Sequence, residues 1–359
     1  LGEPVKVGSM RMSLSSGLEF RLGNVTVGTT QDVTLTDVVA VPEVGSLFGD
    51  KLILKSVLAD GGNVVKEVLP RLPGWLESSM ADQRVDIRSV RLRGIKLEVR
   101  TFALPTLNAD LVFARDGSIT SATVESADGK VSVDINKFDG QTAVAIAASN
   151  WSPPVGAPVQ FTEFTGKGTL SGATLKLNQW NATVYGGELK GTAELSWSPA
   201  WRLVSQFEFA RVETEELLAA FSDTAKVTGL ASGKGRLTSQ GGSVETLLDQ
   251  PSLSASFAIK KGTLDGVDLV RALQAGSRGT QGGSTRFEQL SGDVTVSNGR
   301  FIYRNVELNA GILTSSGNFN ISDKQRVSGR VKVDLRSTAQ RLSADLNISG
   351  SLKGIILKP

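Results

Sequence analysis

Three groups of residues in this sequence have types and spacings that chemistry can use. Glu213, Glu215 and Glu216 crowd carboxylates together, Asp265 and Asp268 form a second acidic pair, and VTGLASGKGRL sets Gly229, Gly233 and Lys234 in the order of a phosphate-binding loop. None of the three reads as a site. The Gly229 to Gly233 spacing is one residue short of a phosphate loop, and Gly235 stands where Ser or Thr would hold magnesium. A glycine-flanked turn opening a strand is the expectation there. The glutamates surround Thr214, which reads as a helix N-cap with acidic residues in the first turn, where they compensate the helix dipole. Asp265 and Asp268 read as turn and first-turn residues of another short helix. GSRGTQGG, from Gly276, lacks the G-x-G-x-x-G order of a dinucleotide loop.

The composition removes whole classes of chemistry. The chain of 359 residues contains no Cys and no His. Thiol nucleophiles, disulfides, Ser-His-Asp triads and most transition-metal sites are therefore excluded. No catalytic group, metal or cofactor is expected. Net charge is +3, and the basic residues are scattered rather than gathered into an arm, so no nucleic-acid partner is expected. A mild positive field suits an anionic lipid surface. The longest uncharged apolar run, Ala143 to Ala148, is far too short to span a bilayer. The chain opens on Leu1 rather than Met, so an upstream signal or anchor is expected.

With no chemistry to position, the alternating segments become the subject. Period-two alternation of apolar and polar residues dominates, the mark of half-buried strands. LEFRLGNVTVG, VDIRSVRLRGIKLEVR and KVSVDINKF all carry it. In the last third it places Val294 and Val296, Phe301 and Tyr303, Val306 and Leu308, Phe319 and Ile321, Val331, Val333 and Leu335, and Leu342, Leu346 and Ile348 on apolar faces. Asp116-Gly117, Asp128-Gly129 and Asn298-Gly299 are hairpin signals, because these residues accept positive φ at little cost. GKGTLSG at Gly166, GKGRLTSQG at Gly233 and KKGTLDG at Lys260 each read as a strand entered from a glycine turn. Antiparallel hairpins in series are the main expectation.

Helices are few. Asn63 to Met80 has helical spacing broken by Pro70 and Pro73, Thr214 opens a short helix through Phe221, Ser243 reads as the cap of Val244 to Asp249, and Val267 to Ala275 is a third short helix. The Pro-rich stretch Trp151 to Gln160 is the best internal boundary. The expected organisation is a strand-rich segment over 1–150 with a short helical insertion, a Pro-rich connection over 151–165, and a second β region over 166–359.

Strands that are apolar on one side need a cover. The sheet could fold onto itself as a sandwich, or remain an open trough whose apolar face meets something other than protein. Periodicity alone leaves both open.

The segment from Gly166 onward resembles the C-terminal region of the AsmA family of bacterial envelope proteins, which includes the TamB and YhdP groups. The likeness rests on YGGELKG (Tyr185 to Gly191), GKGRLTSQGGSVETLL (Gly233 to Leu248), KGTLDGVDL (Lys261 to Leu269), TRFEQLSGDVTVSNGRF (Thr285 to Phe301) and the closing LNISGSLKG. DKLILKSV at Asp50 and RLPGWL at Arg71 carry a looser likeness over the first part. The resemblance implies a mainly β fold, a long twisted antiparallel sheet curved into an open apolar groove. It implies a periplasmic, non-enzymatic protein held to the inner membrane by an N-terminal anchor that this sequence does not contain. Phospholipids are the implied cargo, and outer-membrane or other envelope proteins the implied partners. The apolar residues named above, from Val294 to Ile348, are then the candidates for contact with acyl chains. A structural scaffold or assembly factor with a self-covered β-core is the alternative.

Overall fold

The computed structural model describes residues 3–14, 17–65, 85–99, 103–222, 224, 227–275, 278–336 and 341–359. It is mainly β, with strands β1 to β23 and short helices between some of them. The chain divides into two compact units, Leu1–Ser149 with Lys167–Ser171, and Asn150–Gly166 with Gly172–Pro359.

The first unit holds β1 (Val5–Ser13), β2 (Glu19–Val27), β3 (Val33–Pro42), β4 (Leu52–Val65), β5 (Val85–Ile87), β6 (Ser89–Glu98), β7 (Leu107–Phe113), β8 (Ile119–Ser126), β9 (Val131–Phe138) and most of β10 (Gln141–Trp151). Neighbouring pairs are antiparallel from β1 to β4 and from β6 to β10. Pairing of β4 with β5 and β6 is parallel, which departs from the expected antiparallel series. A hairpin forces antiparallel pairing, whereas a longer connection frees the returning strand to run either way. The helical pattern of Asn63 to Met80 lies outside the described residues, except for Asn63 to Val65, which belong to β4.

One feature of this unit escapes simple alternation. Asn24, Gly61 and Gly94 all have positive φ, at 52°, 68° and 63°. The registers put Asn24 across from Thr36, Thr36 across from Gly61, and Gly61 beside Gly94, so the kinks line up across four strands. Each kink reverses the alternation. Leu22 and Val25, three residues apart, consequently pack into one cluster with Leu35, Val38 and Ala59. The left-handed conformation falls to Gly and Asn because other side chains pay a steric penalty there.

The second unit holds β12 (Thr174–Val184), β13 (Gly187–Ser196), β14 (Trp201–Glu213), β15 (Leu230–Gly241), β16 (Ser252–Asp265), β17 (Thr280–Gln281), β18 (Ser284–Ser297), β19 (Arg300–Ala310), β20 (Leu313–Ile321), β21 (Val327–Arg336), β22 (Arg341–Ser351) and β23 (Gly354–Lys358). The residues of β11 (Phe161–Ser171) are divided between the units. From β12 to β16, then through β18 to β23, each strand pairs antiparallel with the next. This sheet is open and not a closed barrel. The turn between β18 and β19 is Asn298-Gly299, both at positive φ, the hairpin geometry that an Asn-Gly pair encodes.

Two helices follow the sequence signals closely but not completely. Helix α1 is Thr214–Ala219, and its cap position is Glu213, whose side chain makes no capping bond. The Thr214 hydroxyl instead donates to the Gly229 carbonyl at 2.8 Å. Helix α2 is Leu269–Gln274, capped by the Asp268 carboxylate, which accepts from the Arg271 backbone N–H at 2.9 Å. Val244 to Asp249 forms turns rather than a helix, with Thr246 Oγ1 accepting from the Ser243 N–H.

The excursion between β16 and β18 is not a plain loop. It carries α2, which packs on β18, β21 and β22, and then β17, which pairs with β23 through Thr280↔Leu357 and Gln281↔Ile356. Helix α2 thus lies over the apolar side of the last strands. Leu269 and Ala272 join the core formed by Phe287, Leu290, Leu308, Leu313, Val331, Val333 and Leu346.

Candidate functional site

The second unit has one apolar and one polar face. On the polar face the pairs Lys190–Glu208 and Arg211–Glu188 meet at 3.1 and 3.2 Å, with every partner largely exposed. Exposed pairs of this kind contribute little to stability. The apolar face is organised by register. Trp180 stands across from Gly191, Gly191 across from Phe207, and Phe207 across from Gly235. In the next row Phe209 faces Gly233, Gly233 faces Phe257, and Phe257 faces Gly292. Phe287 faces Gly262, and Phe319 faces Gly329.

These glycines correct the sequence reading of the GKG segments. Gly233 and Gly235 lie inside β15, Gly166 inside β11 and Gly262 inside β16, not in turns. A Cβ at Gly191 would come within 2.9 Å of the Trp180 ring, and one at Gly235 within 2.8 Å of Phe207. Each missing side chain makes room for a ring that lies across the neighbouring strand. The signal was present in the sequence. Ala231, Gly233, Gly235 and Leu237 share one parity, and glycine within a strand marks a close approach.

Aromatic residues are few in the whole chain, yet they gather on this face. Trp151, Phe161, Phe164 and Trp180 form a chain of rings with centroids 6.1 to 6.5 Å apart. Phe207 and Phe209 lie 6.3 Å apart, Phe257 and Tyr303 6.3 Å, and Tyr303 stacks on Phe319 at 4.6 Å. Trp151, Phe164, Phe207, Phe209, Phe257, Tyr303 and Phe319 are each half-buried.

The residues singled out from sequence separate into two environments. Val306, Leu308, Val331, Val333 and Leu346 are buried, the last two at 0% exposure. Val294, Val296, Phe301, Tyr303, Phe319, Ile321, Leu335, Leu342 and Ile348 are half-buried. Register joins them on one face: Val294↔Tyr303↔Phe319, Val296↔Phe301↔Ile321, Val331↔Leu346 and Leu335↔Leu342. Asn305, at φ 52°, reverses the alternation between Tyr303 and Val306 so that both stay on it. Beneath α2 this face is a protein core, and away from α2 it is an apolar surface.

Glu213, Glu215 and Glu216 are exposed around the start of α1, and Asp268 is occupied as the cap of α2. Among the described residues no three acidic groups come together as a metal site. No helix among them is long and apolar enough to cross a membrane.

The fold and this face define a mainly β protein built on an open sheet with one apolar side. The model of the AsmA family matches residues 159–306, and the match supports membership of that family, carried by this segment. It contains YGGELKG, GKGRLTSQGGSVETLL, KGTLDGVDL and TRFEQLSGDVTVSNGRF, whereas LNISGSLKG lies beyond it. The family is associated with envelope and lipid-related proteins. Searches of curated proteins and of solved structures found no match.

Proposed function

We propose that this chain is a non-enzymatic lipid carrier of the bacterial envelope. Phospholipid acyl chains lie on the apolar face of the second unit, and their headgroups stay in water. In this reading the protein works in the periplasm, tethered to the inner membrane. It moves phospholipid between the inner and outer membranes in support of outer-membrane biogenesis. The observation that carries the reading is the apolar face that runs from buried Trp180 through half-buried Phe207, Ala255, Val294 and Tyr303 to Phe319.

The physical task is solvation. At about 0.8 kcal/mol per buried CH₂, a sixteen-carbon chain exposed to water costs on the order of 12 kcal/mol. A wall of aliphatic and aromatic side chains removes most of that cost. Neighbouring sites of similar affinity let the chain move along the wall without a deep trap.

A second reading has its own observation. Val333 and Leu346 are fully buried in the core that α2 joins, so part of the face is covered by the protein itself. That favours a structural or assembly role resting on a closed core. Native mass spectrometry of protein purified under mild conditions, followed by lipid extraction, separates the two. More than one copurified phospholipid per chain supports the carrier. A bare mass, with no uptake when phospholipid vesicles are added, sinks the carrier and leaves the scaffold.

A further inference from the structure

We propose that the Tyr303 hydroxyl is a selectivity element of the apolar face, donating a hydrogen bond to the ester carbonyl of a bound acyl lipid. The inference rests on the lipid reading above and names the lipid chemistry that this face prefers.

The starting point is an inventory of hydroxyls on that face. Ser205 donates to the Thr192 carbonyl at 2.9 Å, Ser239 to the Leu247 carbonyl, and Thr285 to the Val267 carbonyl at 2.7 Å. All three are buried and fully used by the backbone. Ser315 is short and sits between Leu308 and Val333, both buried in the core. Tyr303 differs from all of these. Its ring is fixed by stacking on Phe319 at 4.6 Å and by an edge contact with Phe257 at 6.3 Å. Among the described residues its hydroxyl has no hydrogen-bond partner.

That oxygen is not sealed away. Among the described residues no buried side-chain oxygen or nitrogen lacks a partner, so an unpartnered Tyr303 hydroxyl must reach the surface. A cavity of about 340 Å³ is lined by Ile302, Tyr303, Arg304, Asn318, Phe319, Asn320 and Gly329. Gly329 contributes no side chain to it. A polar atom held by rings on an otherwise apolar surface fixes the position of a ligand's own polar atom. A tyrosine is suited to this because its ring joins the apolar wall while its oxygen remains a donor. Burial of the ring pushes the hydroxyl pKa up to about 12, so it stays protonated at neutral pH.

An ester carbonyl is the acceptor that fits. It sits where a phospholipid's hydrocarbon ends, one or two atoms from the first CH₂, and it is uncharged, so it enters a half-buried site cheaply. A dialkyl ether lipid of the same chain length and headgroup has the same hydrocarbon without that carbonyl.

The test is competitive capture from vesicles containing equal amounts of a diacyl phosphatidylcholine and its dialkyl ether analogue. Bound lipid is counted by native mass spectrometry for the wild-type chain and for Tyr303→Phe. Wild type is expected to favour the diester by roughly three- to tenfold, the size of one net hydrogen bond. Tyr303→Phe keeps both ring contacts, so an unchanged melting temperature is expected, with equal capture of the two lipids. No preference in wild type, or a preference that survives in Tyr303→Phe, overturns the role of Tyr303 and leaves the carrier reading intact. Capture of neither lipid overturns the carrier reading and this inference together.

Discussion

Phe209 of β14 lies across the bare backbone of Gly233 in β15, so close that a Cβ there would stand 2.7 Å from the ring. The same Cβ would also collide with the Ser256 carbonyl oxygen of β16. Glycine at this position is what lets a large ring lie flat along the apolar face and the three strands keep their spacing.

Gly233→Ala is therefore expected to cost about 1–3 kcal/mol, the usual size of overpacking. Gly242→Ala, where nothing lies within 4 Å of the added carbon, is the control and should change stability by less than about 0.5 kcal/mol. Chemical denaturation of both variants checks the contrast. Equal effects would mean that the Phe209 contact does not constrain position 233.

The division of the apolar face into core and open surface is testable by position. Leu346→Ala empties a fully buried site under α2 and should lose about 2–5 kcal/mol. Val333→Asp should unfold the second unit, because it buries an unpaired charge. Val294→Asp, on the half-buried part of the face, should leave the melting transition in place and lower lipid capture. A folded Val333→Asp protein would show that α2 does not seal this end.

Removal of the α2 cap probes the cover itself. Asp268 accepts the Arg271 N–H at 2.9 Å, and Asp268→Ala should cost about 0.5–2 kcal/mol, as caps generally do. Hydrogen exchange localises the effect. Faster exchange is expected in α2 and at Leu357, whose strand pairs with Thr280 of β17, and not in β12 or β13. Uniform acceleration across the unit would count against α2 as a separable cover.

Acid should weaken the first unit through Asp110. Desolvation raises its pKa, but hydrogen bonds and charge from Arg93 and Arg91 outweigh it and hold the carboxyl below its ordinary 3.8. A carboxyl depressed on folding adds stability above its unfolded pKa, and that contribution is lost as pH falls through the folded value. The side chain is 48% exposed, so after screening the effect is less than about 1 kcal/mol. Melting temperatures of wild type and Asp110→Asn, compared from pH 6 down to pH 2, should converge at the acid end. A constant difference would assign the loss to something other than this charge.

Tyr303 supplies the opposite titration. Its pKa rises on folding to about 12 because burial disfavours the phenolate. The resulting stability is present in full below pH 10 and is lost as pH rises from 10 towards 12. Ultraviolet titration of wild type minus Tyr303→Phe should reveal a phenol that ionises near 12, and a difference midpoint near 10 would place the ring in water.

Much of this protein was legible in its residues alone. Period-two alternation made it a β protein, because a strand sends successive side chains to opposite faces whatever surrounds it. Asn298-Gly299 specified its hairpin through local backbone bonds, whereas Asp268, read as a first-turn residue of a helix from Val267, is the N-cap of a helix that starts at Leu269. The likeness to the AsmA family was readable from ordered segments between Tyr185 and Phe301. What the tertiary structure decided was long-range. Whether Gly233 belongs to a turn or a strand depends on Phe209, 24 positions away, reaching over it. Whether Val333 meets lipid or protein depends on α2 and β17 crossing to β22 and β23. Alternation tells which side of a strand is apolar. Only the packing of distant segments determines what covers that side.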